Sequence, residues 1–191
     1  MNSDGAAIPP DFEEALLSLR GHRQRPEIRL EEVPAPTRIS PFALALTGEV
    51  NPSPEPETML GNGRFVVLHD PDGQPAWKGT FRVVVMARAQ LEDELGGDPM
   101  LGEVGWTWLV DALRDCGVGY HSLSGTVTRV LSESFGGIAL EDRDVELEVR
   151  ASWSPNTTDL GPHLAAWVAL LGSTTGLEPL PQGVTALAPR R

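Results

Sequence analysis

A single cysteine, Cys116, and a single lysine, Lys78, stand in a chain of 191 residues. One thiol excludes an intramolecular disulfide framework and any multi-cysteine metal site, and it fits a reducing compartment. Cations are scarce as a class: 15 Lys and Arg against 27 Asp and Glu leave a formal charge of -12. Nucleic acid is bound mainly by releasing counterions onto clustered Lys and Arg, so this balance argues against a nucleic-acid partner. The one basic run, Arg20, His22, Arg23, Arg25 and Arg29, is interrupted by Glu27, Glu31 and Glu32 and reads as a solvated charge run. No apolar run approaches the ~18 residues that a spanning helix needs. Residues 1–10 lack the basic start and apolar stretch of a secretion signal. The expectation is a cytoplasmic protein with no membrane partner. Arginine supplies nearly all the positive charge, a usage typical of GC-rich coding rather than of any chemistry.

Hydrophobic residues at 40 % and charged residues at 22 % describe a chain that folds around a core. One α+β domain over residues 11–177 is expected, with a disordered lead at 1–10 and a flexible tail at 178–191. Asp11 is placed to cap a short helix whose Phe12, Ala15, Leu16 and Leu19 share a stripe, closed by Gly21. The prolines at 26, 34, 36 and 41 leave Ile28 to Val33 as at best a short edge strand. Phe42 to Val50 reads as a strand, and Asn51 to Asn62, with Pro52, Pro54 and Pro56, as a surface loop. Arg64 to His69 and Trp77 to Arg88 flank Asp70-Pro71-Asp72-Gly73 and predict a hairpin turning there.

A second helix is predicted after that hairpin, capped by Asp98 with Pro99 at its first position and ended by Gly117. Its expected stripe is Leu101, Val104, Trp108, Leu109, Ala112 and Cys116. Strands at Ser124 to Ser132 and Val145 to Trp153 follow, the latter alternating strictly, and a final helix spans about Asp159 to Ser173. The order α-βββ-α-ββ-α predicts an antiparallel sheet of about five strands with helices packed on it. Leu101-Gly102 before Trp108 echoes Leu160-Gly161 before Trp167, which two pseudo-repeated ββα units explain, as does chance likeness of two amphipathic helices. This element order is similar to that of small secretion chaperones and their relatives, which bind partner segments. No sequence motif is shared with them, and a likeness of fold does not license function.

In the segments Trp77-Lys-Gly-Thr-Phe-Arg82, Glu103-Val-Gly-Trp-Thr-Trp-Leu109 and Ser124 through Gly136, the chain resembles a family catalogued as domain of unknown function 3000. Residues 25 to 36, RPEIRLEEVPAP, are similar to the leading segment of that family. The resemblance covers nearly the whole chain after the first ten residues. It implies a cytoplasmic actinobacterial protein and implies no activity, cofactor or partner.

Candidate chemistry is thin. His69, Asp70 and Asp72 are metal-ligand types, yet they are also what a turn selects. Cys116 and His121 are a thiol and an imidazole five positions apart, but Cys116 falls on a core stripe. Ser122, Ser124, Ser132 and Ser134 lack the strand-turn-helix context of an exposed nucleophile, and His163 sits at the edge of its helix stripe. Gly61-Asn62-Gly63 precedes a strand and not a helix, so no nucleotide-binding loop is present and no cofactor is expected. Arg82, Arg88, Arg129 and Arg150 are strand arginines; they either converge on an anion or form a ladder with Glu146 and Glu148.

Trp106 and Val110 lie some 140 to 180 degrees around their helix from Leu101, at about 100 degrees per residue, and so fall off the main stripe. Two functional readings follow. One is a non-enzymatic protein-binding or regulatory module, self-associating or holding a partner through Trp106, Val110 and Glu103 together with the sheet face that bears Arg82. The other is an enzyme or small-ligand binder whose site is assembled from Arg82, Arg129, His121, Glu133 and Ser134.

Overall fold

The computed structural model describes residues 7–21, 25–51, 59–133 and 144–178. His22, Arg23, the prolines at 52, 54 and 56, Ser134, most of the expected lead and nearly all of the expected tail lie outside the described residues. The elements are α1 (Pro10–Arg20), β1 (Ile28–Val33), β2 (Phe42–Val50), β3 (Gly61–Gln74), β4 (Gly79–Leu91), the single turn α2 (Asp93–Gly96), α3 (Leu101–Asp115), β5 (Tyr120–Ser132), β6 (Asp144–Pro155) and α4 (Gly161–Thr174). The strands form one six-stranded sheet in the order β1-β2-β3-β4-β6-β5, every pair antiparallel. The α+β class is as expected. The sixth strand is β1, which its prolines confine to the sheet's edge and to six residues.

Alternation places Val67, Val83, Val85, Val149, Ala151 and Trp153 on one face, where α1, α3 and α4 cover them in a single core. Leu160, Leu164, Trp167, Val168 and Leu171 of the last helical stretch are all buried, as their spacing predicts. The Trp167 ring needs room, and two glycines supply it. A Cβ at Gly48 would lie 2.9 Å from the ring, and one at Gly63 would lie 2.5 Å from the Met86 carbonyl oxygen. The indole N–H donates to that same Met86 oxygen at 3.0 Å, so the largest side chain of α4 is keyed to the centre of the sheet.

Several expectations are corrected. The β3–β4 hairpin does not turn at Asp70–Gly73; it turns five residues later, around Pro75–Lys78, where Lys78 takes φ 54. The Asp70 carboxylate accepts from the Asp72 amide and Gly73 adopts φ 73, so these residues build an irregularity within the strand. Trp77 lies in the turn and is buried. Helix α1 begins at Pro10, one residue before Asp11, and Gly21 closes it at φ -85, not in the left-handed region. Asp98 does not cap α3 directly: the helix starts at Leu101, with the Asp98 carboxylate accepting from the Met100 amide at 2.8 Å.

The stripe of α3 is also rotated from expectation. Its buried residues are Leu101, Gly105, Leu109, Ala112 and Leu113, whereas Val104 is exposed and Trp108 half-buried. Gly105 is the reason: a Cβ there would meet Val127 at 3.3 Å and Val149 at 3.5 Å, so the helix approaches β5 and β6 most closely at a residue that no apolar count includes.

A candidate ligand trough on the helix-free face

The residues of β3, β4, β6 and β5 that point away from the helices come together in cross-strand rows. One row runs Arg64, Met86, Arg150, Thr126, and the next runs Val66, Val84, Ser152, Ser124. These two rows line an open trough of about 590 Å³. That volume falls within the ordinary range of small-molecule sites, roughly 300 to 1,000 Å³. Valine and methionine supply its apolar floor, and arginine, serine and threonine its walls. To the β1 side, Val66 belongs to a smaller cluster with Ala45, Leu68 and Trp77, against which Ala35 packs.

Cations flank the trough, and they are held differently. On the Thr126 side of the face, Arg88 pairs with Glu146 at 3.3 Å and Glu148 at 2.7 Å, and Arg150 pairs with Glu148 at 2.5 Å. The Arg88 pairs are the cross-strand ladder that is one of the two readings of the strand arginines, while Arg150 and Glu148 are neighbours along β6. Burial alone would raise the Glu148 carboxyl, but hydrogen bonds from Arg150 and Arg88 hold it below the usual carboxylate range.

Arg82, beyond the Val84 row, is 8 % exposed and has no acidic partner among the described residues. Its Nη1 donates to the Ser122 carbonyl at 2.9 Å and to Ser154 Oγ at 3.2 Å, and its Nη2 to the Ser152 carbonyl at 3.3 Å and Ser152 Oγ at 2.7 Å. Desolvation pushes this guanidinium below its ordinary pKa. Ser154 Oγ in turn donates a hydrogen bond to the Trp77 carbonyl at 2.6 Å. Arg64, on the trough wall, donates to the Pro34 carbonyl at 3.1 Å and likewise meets no carboxylate among the described residues.

The other ligand-binding candidates are not gathered here. Arg129 shares the helix-side parity of Val127 and donates to the Asp98 carbonyl at 2.6 Å. His121 stands where β5 bulges, with Asn156 Oδ1 2.8 Å from Nδ1 and the Lys78 carbonyl 3.3 Å from Nε2. Glu133 is exposed past the end of β5, and Ser134 lies outside the described residues. The partner-binding candidates lie across the sheet from Arg82: Trp106 is half-buried with its ring over Gly125, Val110 is half-buried and Glu103 exposed. Arg64, Met86, Thr126 and Ser152 are the residues that sequence reasoning did not bring together. The parity of Arg82, Val84 and Met86 was the only signal pointing there.

The remaining candidates resolve into structural roles. His69 is 1 % exposed and wedged among Phe12, Phe42 and Phe81, its Nδ1 donating to the Thr80 carbonyl at 3.2 Å. Burial lowers its pKa, against the opposing pull of the Thr80 carbonyl, Asp11 and Asp70. Among the described residues, no three metal-ligating side chains cluster. Burial, and then Asp115, raise the Cys116 thiol pKa, which leaves it unreactive. His163 is fully interior rather than at an edge: Trp153 Nε1 donates to its Nδ1 at 2.8 Å, and burial, opposed by Asp159, lowers its pKa to about 4.

Among the described residues no helix is long and apolar enough to cross a membrane. No curated protein and no solved structure matches the chain. A family model does match, over residues 8–185, and the chain belongs to that family, described as protein of unknown function DUF3000.

Proposed function

We propose that this chain is a non-enzymatic binding module of the actinobacterial cytoplasm that receives a small ligand in the trough on the helix-free face of its sheet. The observation that carries this reading is the trough itself: two complete cross-strand rows leave about 590 Å³ unfilled over an apolar floor. Among the described residues Ser124, Thr126 and Ser152 have no imidazole or carboxylate within hydrogen-bonding reach to activate them, which favours retention over turnover. Ligand-observed NMR screening of small amphiphiles against wild type and Val84→Trp, a substitution that fills the floor, tests it. Hits that disappear in Val84→Trp support the trough; hits that bind both proteins equally overturn it.

A second reading, self-association or capture of a protein partner, is favoured by the apolar flank where α3 meets the edge strand β5. Met100 is 51 %, Val104 37 % and Leu131 51 % exposed. Leu131→Lys and Val104→Glu then lower the solution mass measured by light scattering, and a mass unchanged from wild type removes this reading.

A further inference from the structure

Among the described residues the charge at Arg82 has no counter-ion. A guanidinium withdrawn from water is expected to be matched by a carboxylate, because an uncompensated buried charge is costly. Here carbonyl and hydroxyl oxygens alone receive it. Its neighbours divide into two kinds. Ser154 Oγ accepts from Arg82 and spends its proton on Trp77, closing that chain of bonds. Ser152 Oγ also accepts from Arg82, but among the described residues its proton meets no acceptor, and Ser152 lines the trough. A serine hydroxyl polarised by a guanidinium behind it, with its proton to spare beside an apolar floor, is a donor for an anion.

Resting on the reading of the trough as a ligand site, we infer that its ligand is a singly charged amphipathic carboxylate. The carboxylate accepts from the Ser152 hydroxyl over Arg82, and the apolar body lies along Val84, Met86 and Val66. Arg64, free of acidic partners among the described residues, adds a second positive charge on the opposite wall. A polyanion is disfavoured by the chain's net charge of -12 and by Glu146 and Glu148 in the rows next to the trough.

The test is isothermal titration of the full chain with decanoate and with decanol, which share a tail and differ in charge, alongside amide NMR spectra that locate each. The expected result is decanoate binding in the trough at least tenfold tighter than decanol. Ser152→Ala brings decanoate to the level of decanol, and Arg64→Gln weakens it several-fold; Arg64 is exposed, so the second variant keeps the fold. Equal affinity for the two compounds, with shifts in the trough, overturns the carboxylate inference and leaves the ligand site standing. Failure of both compounds to shift any trough amide overturns the inference and counts against the trough as well.

Discussion

The two faces of this sheet are made by the same strands, alternating residue by residue, and they are finished to different standards. On the helix-covered face Val83, Val85, Val149 and Trp153 are sealed beneath α3 and α4, and two buried indole N–H groups find acceptors there. His163 accepts from Trp153, and Trp167 donates to Met86. On the other face, among the described residues, a turn carrying Trp77 and the segment around Ala35 cover the β1 side only. The remaining rows hold a hollow and, among the described residues, a buried cation without a carboxylate and an arginine that donates to a backbone carbonyl. His69 Nε2 on the covered face also lacks a hydrogen-bond partner among the described residues, but three phenylalanines enclose it, whereas the open groups of the other face border a hollow that a second molecule can enter.

The largest break in this comparison comes from the covered face. Trp167→Ala removes a fully buried ring packed against Phe65 and orphans the glycines cut to fit it, so unfolding free energy falls by about 3 to 5 kcal/mol in urea titration. Second is the response to acid. A histidine whose folded pKa is depressed contributes stability that is whole above its ordinary value of 6.5 and is lost as pH falls toward the folded pKa, here about 4. Between those limits His163 accounts for a loss of order 3 kcal/mol, since each unit is worth about 1.4 kcal/mol. His163→Gln, which can still accept from Trp153, flattens that slope when the urea midpoint is followed from pH 7 to pH 4. His69 adds to the loss in the same direction.

The smallest effect belongs to the helix-free face. Met86→Ala costs under about 1 kcal/mol, because the side chain is only half-buried and borders a hollow already present. A loss there as large as that of Trp167→Ala would mean that the two faces do not differ as described.

Much of the covered face was legible beforehand, because hydrophobic periodicity reports burial directly. The stripe of α4 and the alternation of β6 follow from spacing alone. What spacing cannot supply is pairing between strands distant in sequence. β4 lies against β6, not β5, and that one choice sets Met86 beside Arg150 and Val84 beside Ser152. Arg82 was singled out for the right residue type and parity, but its serine partners come from β5 and β6. The hairpin turn was misplaced because Asp70 and Gly73 serve a strand irregularity with the residues a turn also uses. The α3 stripe was misaligned because glycine, which marks the closest approach of that helix, carries no hydrophobic signal.

The central claim is that the helix-free face is the binding surface. Two-dimensional amide spectra of the labelled chain, recorded during titration with decanoate, test it most directly. The account predicts shifts confined to residues 64–66, 84–86, 124–126 and 150–152, on the four strands that line the trough. Shifts gathered instead on α3 and at Leu131 would contradict it and move the binding surface to the opposite side of the sheet.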